Sequence, residues 1–237
     1  MSADQYRFVV VVPCRDEAHH IASCLESVMR SVASAGIDPH RFEVVVVADS
    51  CRDDTAAVAR RLLRSSGHVI EIRAGSAGRA RAVGTAYGLD RWGSVGADRI
   101  WTVHTDADTV VPGEWLRRHA HVANAGLAAV AGVVEVDSFD GYHPGLAAVH
   151  GAAYGGPGDD HPHVHGANLG VRADAYLAVG GWAAIPSGED HALWRAVRQA
   201  GYPTLATRSI RVVTSGRRHG RAPAGFAGYL CDLEAAM

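Results

Sequence analysis

An apolar run, Trp101-Thr102-Val103-His104-Thr105, empties directly into Asp106-Ala107-Asp108. Carboxylates at i and i+2 can converge on one hard cation where the chain turns out of a strand, and a cation held there can hold a diphosphate in turn. The same Asp-x-Asp pattern also describes a solvated turn, so its meaning depends on its company. Ser187-Gly188-Glu189-Asp190 opens a segment carrying Leu193, Trp194 and Val197 at helical spacing. It reads as a capping box with both carboxylates at the positive end of a helix dipole, or as a carboxylate placed to take a proton. Asp159-Asp160-His161-Pro162-His163-Val164-His165 has the residue types of a metal cluster, but alternating histidines in a Gly/Pro-rich stretch read better as a mobile polar loop. Cys14, Cys24, Cys51 and Cys231 show no CxxC pair and no zinc spacing, so they read as buried or idle thiols.

The elements that must position these groups alternate along the first half. Phe8 to Val12 is a continuous β-branched run closed by Pro13, the pattern of a strand covered on both faces. From Glu17 to about Ser34, Ile21, Leu25, Val28 and Val32 mark one helix face, and Gly36 ends it. Phe42 to Ala48 is a second buried strand, and Asp53-Asp54-Thr55 opens a helix carrying Val58, Leu62 and Leu63. Val69 to Arg73 reads as a third strand, Gly78 to about Trp92 as a helix, and Arg99 to Thr105 as a fourth strand. Strands joined by helical crossovers predict an α/β fold, a mostly parallel central sheet with helices on both faces. Ligands then bind beyond the carboxyl ends of the strands. Those ends are Pro13-Cys14-Arg15-Asp16-Glu17, Asp49-Ser50-Cys51-Arg52-Asp53, Ala74-Gly75-Ser76-Ala77-Gly78-Arg79 and the Asp106/Asp108 pair.

Composition removes several function classes. With 23 basic and 25 acidic side chains the formal charge is -2, so no global electrostatic case exists for nucleic-acid binding. The hydrophobic fraction of 48% and charged fraction of 20% fit a folded globule, and 237 residues suit one large α/β domain. The N-terminal apolar run stops at Pro13, short of a signal peptide or a membrane span, so a cytoplasmic location, or a peripheral one at the membrane, is expected. No GxxxxGK[ST] occurs, and no GxGxxG follows the first strand. Nucleotide phosphates would therefore be held by metal and arginine rather than by a glycine-rich cradle.

In order and spacing, Val10-Val11-Val12-Pro13-Cys14-Arg15-Asp16-Glu17, Val47-Ala48-Asp49-Ser50-Cys51-Arg52-Asp53-Asp54-Thr55, Gly78-Arg79-Ala80-Arg81-Ala82-Val83-Gly84, Asp106-Ala107-Asp108, Gly166-Ala167-Asn168-Leu169-Gly170-Val171-Arg172 and Gly180-Gly181-Trp182 followed by Glu189-Asp190 resemble the family 2 glycosyltransferases of the GT-A fold. The resemblance runs from about residue 8 to 213. It implies one GT-A-like domain, with a nucleotide-sugar-binding half at 1–112 and a smaller acceptor-binding half at 113–237. It further implies that Pro13, Arg15, Glu17 and Asp49 line a nucleoside pocket and that Arg81 reaches the nucleotide. Asp106 and Asp108 would hold ribose and Mn²⁺ or Mg²⁺, with His219 as a candidate further metal ligand, and Asp190 would be the base. The implied reaction moves a hexose, with inversion, from a nucleoside diphosphate sugar, UDP by preference, to a hydroxyl on a small or lipid-linked acceptor.

Three positions depart from the family pattern. Its paired aspartates at the second strand end appear here as Ala48-Asp49, the glycine that usually follows is Ser50, and an asparagine often seen after the helix arginine is Ala82. The basic run Arg217-Arg218-His219-Gly220-Arg221 would grip the diphosphate as a lid or form a solvated tail. The histidine stretch, standing before Gly166-Ala167-Asn168, reads as an acceptor-side loop. Two other readings compete, a catalytically idle sugar-nucleotide-binding subunit and a sugar-1-phosphate nucleotidyltransferase. The second would need a Gly-rich basic loop after the first strand, which Pro13-Cys14-Arg15-Asp16-Glu17 is not.

Overall fold

Every residue of the second strand, β2 (Phe42–Asp49), is buried, and so is all but the first of β1 (Arg7–Cys14), because helices cover both faces of the sheet at its centre. The computed structural model describes residues 6–154, 159–220 and 225–237. Phe8, Val10 and Val12 point into one core with Ile21, Leu25 and Val28 of α1 (Ile21–Ala35), while Val9 and Val11 point into another with Ala80 of α3 (Ala77–Arg91). A strand whose successive side chains alternate between two apolar cores must be apolar throughout, which accounts for the valine run. Between these helices lie α2 (Thr55–Leu63) and β3 (Gly67–Ile72), and β4 (Ile100–His104) follows α3.

The second half adds β5 (Thr109–Val110), α4 (Trp115–Asn124), β6 (Ala129–Val136), α5 (Leu146–Tyr154), β7 (Leu169–Arg172), α6 (Ala173–Ala178), α7 (Glu189–Gln199), β8 (Thr204–Thr214) and α8 (Phe226–Ala235). All eight strands form one sheet in the order β3-β2-β1-β4-β7-β6-β8-β5. The first four are mutually parallel, β7 runs antiparallel to both β4 and β6, and β6 and β8 are parallel. This is a largely parallel, mixed α/β sheet of GT-A-like form.

Three local expectations are corrected. Helix α1 begins at Ile21 rather than Glu17, because Asp16 adopts φ 52° and the Glu17 carbonyl accepts the amides of His20 and Ile21 in a turn of its own. Leu62 is exposed while Leu63 is buried, so the inner face of α2 runs through Thr55, Ala56, Ala59 and Leu63. Strand β3 runs Gly67–Ile72 rather than Val69 to Arg73, and at the sheet edge it is only half-buried, as one missing neighbour dictates. Among the described residues no helix is long and apolar enough to cross a membrane.

Candidate functional site

The carboxyl ends of β1, β2 and β4 open on one cavity of about 430 Å³, and the first turn of α7 closes it from the other side. Pro13, Arg15, Glu17, Asp49, Arg81, Asp106, Asp108 and Asp190 all line it, so eight of the nine residues singled out from sequence meet in one place. The ninth, His219, is exposed and does not line the cavity. Arg217, two residues earlier, does.

Arg81 joins the two halves of the site. It is almost fully buried, and its guanidinium lies 2.5 Å from Asp106 Oδ1 and 2.5 Å from Glu189 Oε1, so it is no solvated helix arginine. Burial works against the cation, but Asp106 and Glu189 outweigh it and hold the Arg81 pKa above its ordinary value. Trp182 lies 5.4 Å from the guanidinium, and His104 meets the Trp182 ring edge-on at 4.8 Å. Gly166 makes the approach possible, since a Cβ there would stand 2.5 Å from the guanidinium carbon.

A second arginine repeats the arrangement. Arg217 donates to Glu17 at 2.9 and 2.6 Å and reaches Asp108 Oδ2 at 2.7 Å. Asp108 is pushed up to about 6 by burial, with Arg217 opposing and Asp106 and Glu17 adding to the rise. Thr214 donates to Asp108 Oδ1 at 3.4 Å, and the Ser215 amide donates to its carbonyl at 3.1 Å, tying the Asp-x-Asp turn to the end of β8. Asp106 and Asp108 thus present hard oxygen donors already matched to cations.

Asp49 has a different local task. Its carboxylate accepts the amides of Ala74, Gly75 and Ser76 at 2.8, 2.9 and 2.8 Å, and the Ser50 hydroxyl at 2.9 Å. Burial raises its pKa, but these donors together bring it below the usual carboxylate range. It therefore fixes the loop that leads into α3. Ser50 stands at φ 58° where the family pattern has glycine, and its bond to Asp49 compensates for that left-handed backbone.

Asp190 is not part of a capping box. The N-cap of α7 is Gly188 at φ 77°, with no side-chain cap bond. Asp190 Oδ2 accepts the Gly166 amide at 3.0 Å and Oδ1 accepts the His191 amide at 2.8 Å, which orients the carboxylate along the cavity wall. The histidine stretch is a stacked row, with ring centroids 6.1 Å apart from His161 to His163 and 6.2 Å from His163 to His165. Among the described residues it forms no three-ligand metal group. Among the described residues such a group is found only at Asp16, Cys51 and Asp53, whose carboxylates already accept the Arg52, Ala18 and Thr55 amides.

Sequence reasoning left Glu189 as a cap, Arg217 as lid or tail, His165 as part of an acceptor-side loop, and Phe226 and Tyr229 as part of a C-terminal segment open to an acceptor, a membrane surface or a second subunit; all five line the cavity. The signal for Glu189 was its place beside Asp190; the rings lie on a loop and a terminal helix that carry no spacing rule.

Comparison with known proteins agrees with this geometry. The family profile described as Glycosyl transferase family 2 matches residues 9–176. The succinoglycan biosynthesis protein ExoA of Rhizobium meliloti (strain 1021) is 25% identical over 214 residues, covering 86% of this chain and 62% of that protein. Among solved structures, S. aureus TarS 1-349 in complex with UDP-GlcNAc superposes with a TM-score of 0.67 at 15% identity, over 97% of this chain and 66% of that one. The mannosyltransferase PcManGT from Pyrobaculum calidifontis, in complex with GDP-Man and Mn²⁺, gives 0.63 at 20% identity, over 93% and 60%. The chain thus spans about two thirds or less of the length of each of these relatives.

Proposed function

This chain belongs to glycosyl transferase family 2, and on that premise we propose that it moves a hexose from a nucleoside diphosphate sugar, a UDP-sugar by preference, to an acceptor hydroxyl with inversion. The observation that carries the proposal is Arg81, bonded on one side to Asp106 and on the other to Glu189, whose neighbour Asp190 lines the same cavity. A sugar hydroxyl is too weak an acid to ionise at neutral pH, so Asp190 takes its proton as the oxygen bonds to the anomeric carbon. The bond from that carbon to the diphosphate breaks, and the nucleoside diphosphate leaves with the electron pair.

Asp106 and Asp108 fit a divalent cation, because their donors are oxygens and each already faces a guanidinium that stands in for positive charge. Mn²⁺ or Mg²⁺ bound there would stabilise the charge of the leaving diphosphate. Glu17 holds Arg217 at the same spot, ready for the phosphates, while Arg15, Pro13 and Asp49 border the nucleoside end. The complexes of TarS with UDP-GlcNAc and of PcManGT with GDP-Man and Mn²⁺ support a nucleotide-sugar donor of this class.

Asp190→Asn is expected to abolish transfer while leaving metal-dependent UDP binding intact, read by calorimetry; full turnover in that variant would remove the proposed base. Asp108→Ala should weaken UDP binding in Mn²⁺, and an unchanged affinity would discard the metal assignment. Donor hydrolysis by the wild type separates an enzyme from an idle binding subunit.

A further inference from the structure

Two of the four cysteines meet, although their spacing in the chain gave no sign of a pair. Cys14 ends β1, and Cys51 follows the end of β2. The Cys51 thiol donates to the Cys14 carbonyl at 3.6 Å, the Cys14 thiol donates to the Val47 carbonyl at 3.5 Å, and the two thiols also interact with each other. None of the four cysteines is in a disulfide. Cys24 is buried and donates to the Asp106 carbonyl at 3.3 Å, while Cys231 on α8 donates to the Arg218 carbonyl at 3.7 Å.

The turns that carry the pair are laced together. The Arg52 amide donates to Asp16 Oδ1 at 2.6 Å, the Ala18 amide to Asp53 Oδ2 at 3.0 Å and the Glu17 amide to the Thr55 hydroxyl at 2.7 Å. Asp16 and Ser50 stand at φ 52° and 58°, so each turn contains a backbone conformation that its surroundings must enforce. Thiols held side by side in this way meet at an effective concentration far above that of a thiol in solution. They are also chemically unequal. The bond with Cys14 is the main cause that lowers the Cys51 pKa to about 7, helped by the Asp16 amide and the Thr55 hydroxyl and opposed by burial. Cys14 is pushed up, first by that same bond and then by burial, so it keeps its proton. Cys51 is half-buried and open to a small oxidant, whereas Cys14 is buried with Cys51 beside it.

We propose that Cys51 and Cys14 form an oxidisable dithiol, which hydrogen peroxide closes to a disulfide that weakens nucleotide binding at the adjoining end of the cavity. The Cys51 thiolate attacks one peroxide oxygen, the O–O bond breaks, and hydroxide leaves and takes up the proton that Cys51 had released. The Cys14 sulfur then attacks the sulfur of the resulting sulfenic acid, the S–O bond breaks, and the departing hydroxide takes the Cys14 proton. Two thiols are oxidised to one disulfide, and one peroxide is reduced to two waters. Cys14 lines the cavity between Pro13 and Arg15, so covalent closure draws that wall toward Cys51 and removes the thiol donor from the Cys14 carbonyl. The effect on binding rests on the nucleotide-sugar reading of the site; the disulfide itself does not.

The test treats the full chain with hydrogen peroxide, removes the peroxide by desalting, alkylates with N-ethylmaleimide in denaturant and maps the peptides by mass. A Cys14–Cys51 cross-link should appear and vanish on treatment with dithiothreitol, with Cys24 and Cys231 alkylated as before. By calorimetry in Mg²⁺, the oxidised chain should bind UDP about tenfold more weakly, the size of one lost hydrogen bond, and recover on reduction. Cys51→Ser, at a position outside the cavity lining, should bind UDP as the wild type does and ignore peroxide. Cys14→Ser should stop at a Cys51 sulfenic acid that dimedone traps; should that variant melt below the wild type, dimedone added to the wild type must capture Cys51 and lower the yield of cross-link. Full alkylation of Cys14 and Cys51 after peroxide would overturn the proposal. So would a cross-link to Cys24 or Cys231 instead, or an oxidised chain that binds UDP as tightly as the reduced one. An untreated chain that fails to bind UDP strikes the transferase reading, while the peptide map still decides the dithiol.

Discussion

Gly166 shows how a residue without chemistry of its own sets the geometry of those that have it. Its missing side chain lets the Arg81 guanidinium approach the backbone closely, and its amide orients Asp190 at 3.0 Å. Gly166→Ala therefore introduces a methyl group 2.5 Å from the guanidinium carbon, and either Arg81 or the Asp190 loop must shift. Because a misplacement of about 1 Å can cost about a hundredfold in rate, kcat is expected to fall by about that factor. Calorimetric UDP affinity should fall far less, since most cavity-lining groups stay in place. Wild-type turnover in Gly166→Ala would show that the Arg81 bridge tolerates displacement and does not position the site. Ser50 makes the complementary point, because a hydroxyl bonded to Asp49 supports a backbone conformation that the family pattern assigns to glycine.

Helix α3 carries Arg81 and approaches the sheet through Gly84 and Gly88, which face Val11 and Val9 of β1. A Cβ at Gly84 would stand 2.6 Å from Val11 Cγ1, and one at Gly88 would collide with Val9 Cγ1. Gly88→Ala is expected to destabilise the fold by about 1–3 kcal/mol, the usual range for overpacking, in a urea titration. A gain in stability would mean that helix propensity outweighs the clash and that the contact is looser than drawn. The first four strands and their helices were legible in the sequence for the same reason that α3 is so closely seated. Parallel strands buried on two faces read as unbroken valine runs, and the helices between them keep a 3.6-residue apolar period. The second half does not announce itself this way. Strand β7 has four residues, β6 changes register against β8 between Gly132 and Val133, and β8 alternates on a strand only partly covered. Within the site, the Asp106/Asp108 pair was visible because its spacing is local, whereas Arg81 and Asp190 were reached through the resemblance to the family. The Arg217–Glu17 pair was not visible, since its partners stand 200 residues apart and only the closed sheet brings them together.

At the scale of the whole molecule, one core is built around a titratable group. His119 of α4 is fully buried, stacks edge-on against Trp115 at 5.1 Å and accepts from the Trp101 indole at 3.4 Å, so it joins the helix to β4. Burial lowers its pKa to about 3, and burial is likewise the main cause that holds His150 and His161 below their ordinary value. An unfolded histidine titrates near 6.5, so below about that pH the unfolded chain takes up a proton that folded His119 declines. Stability is then complete above about pH 6.5 and declines as the pH falls toward the folded value near 3. Between pH 6.5 and 5 the loss from His119 alone is about 2 kcal/mol, with His150 and His161 acting in the same direction. Asp49, whose pKa is lowered, loses its own contribution only in more acidic solution, so the two effects separate along the pH axis. Urea unfolding at closely spaced pH values should give a midpoint that falls steadily below about pH 6.5. His119→Gln should remove the His119 share of that slope, leaving the shares of His104 and His165, which burial lowers in the same sense, and of Asp108, whose raised pKa opposes them. A midpoint that stays level from pH 7 to 5 in the wild type would mean that the imidazole titrates as if exposed, and that the core between α4 and β4 admits water.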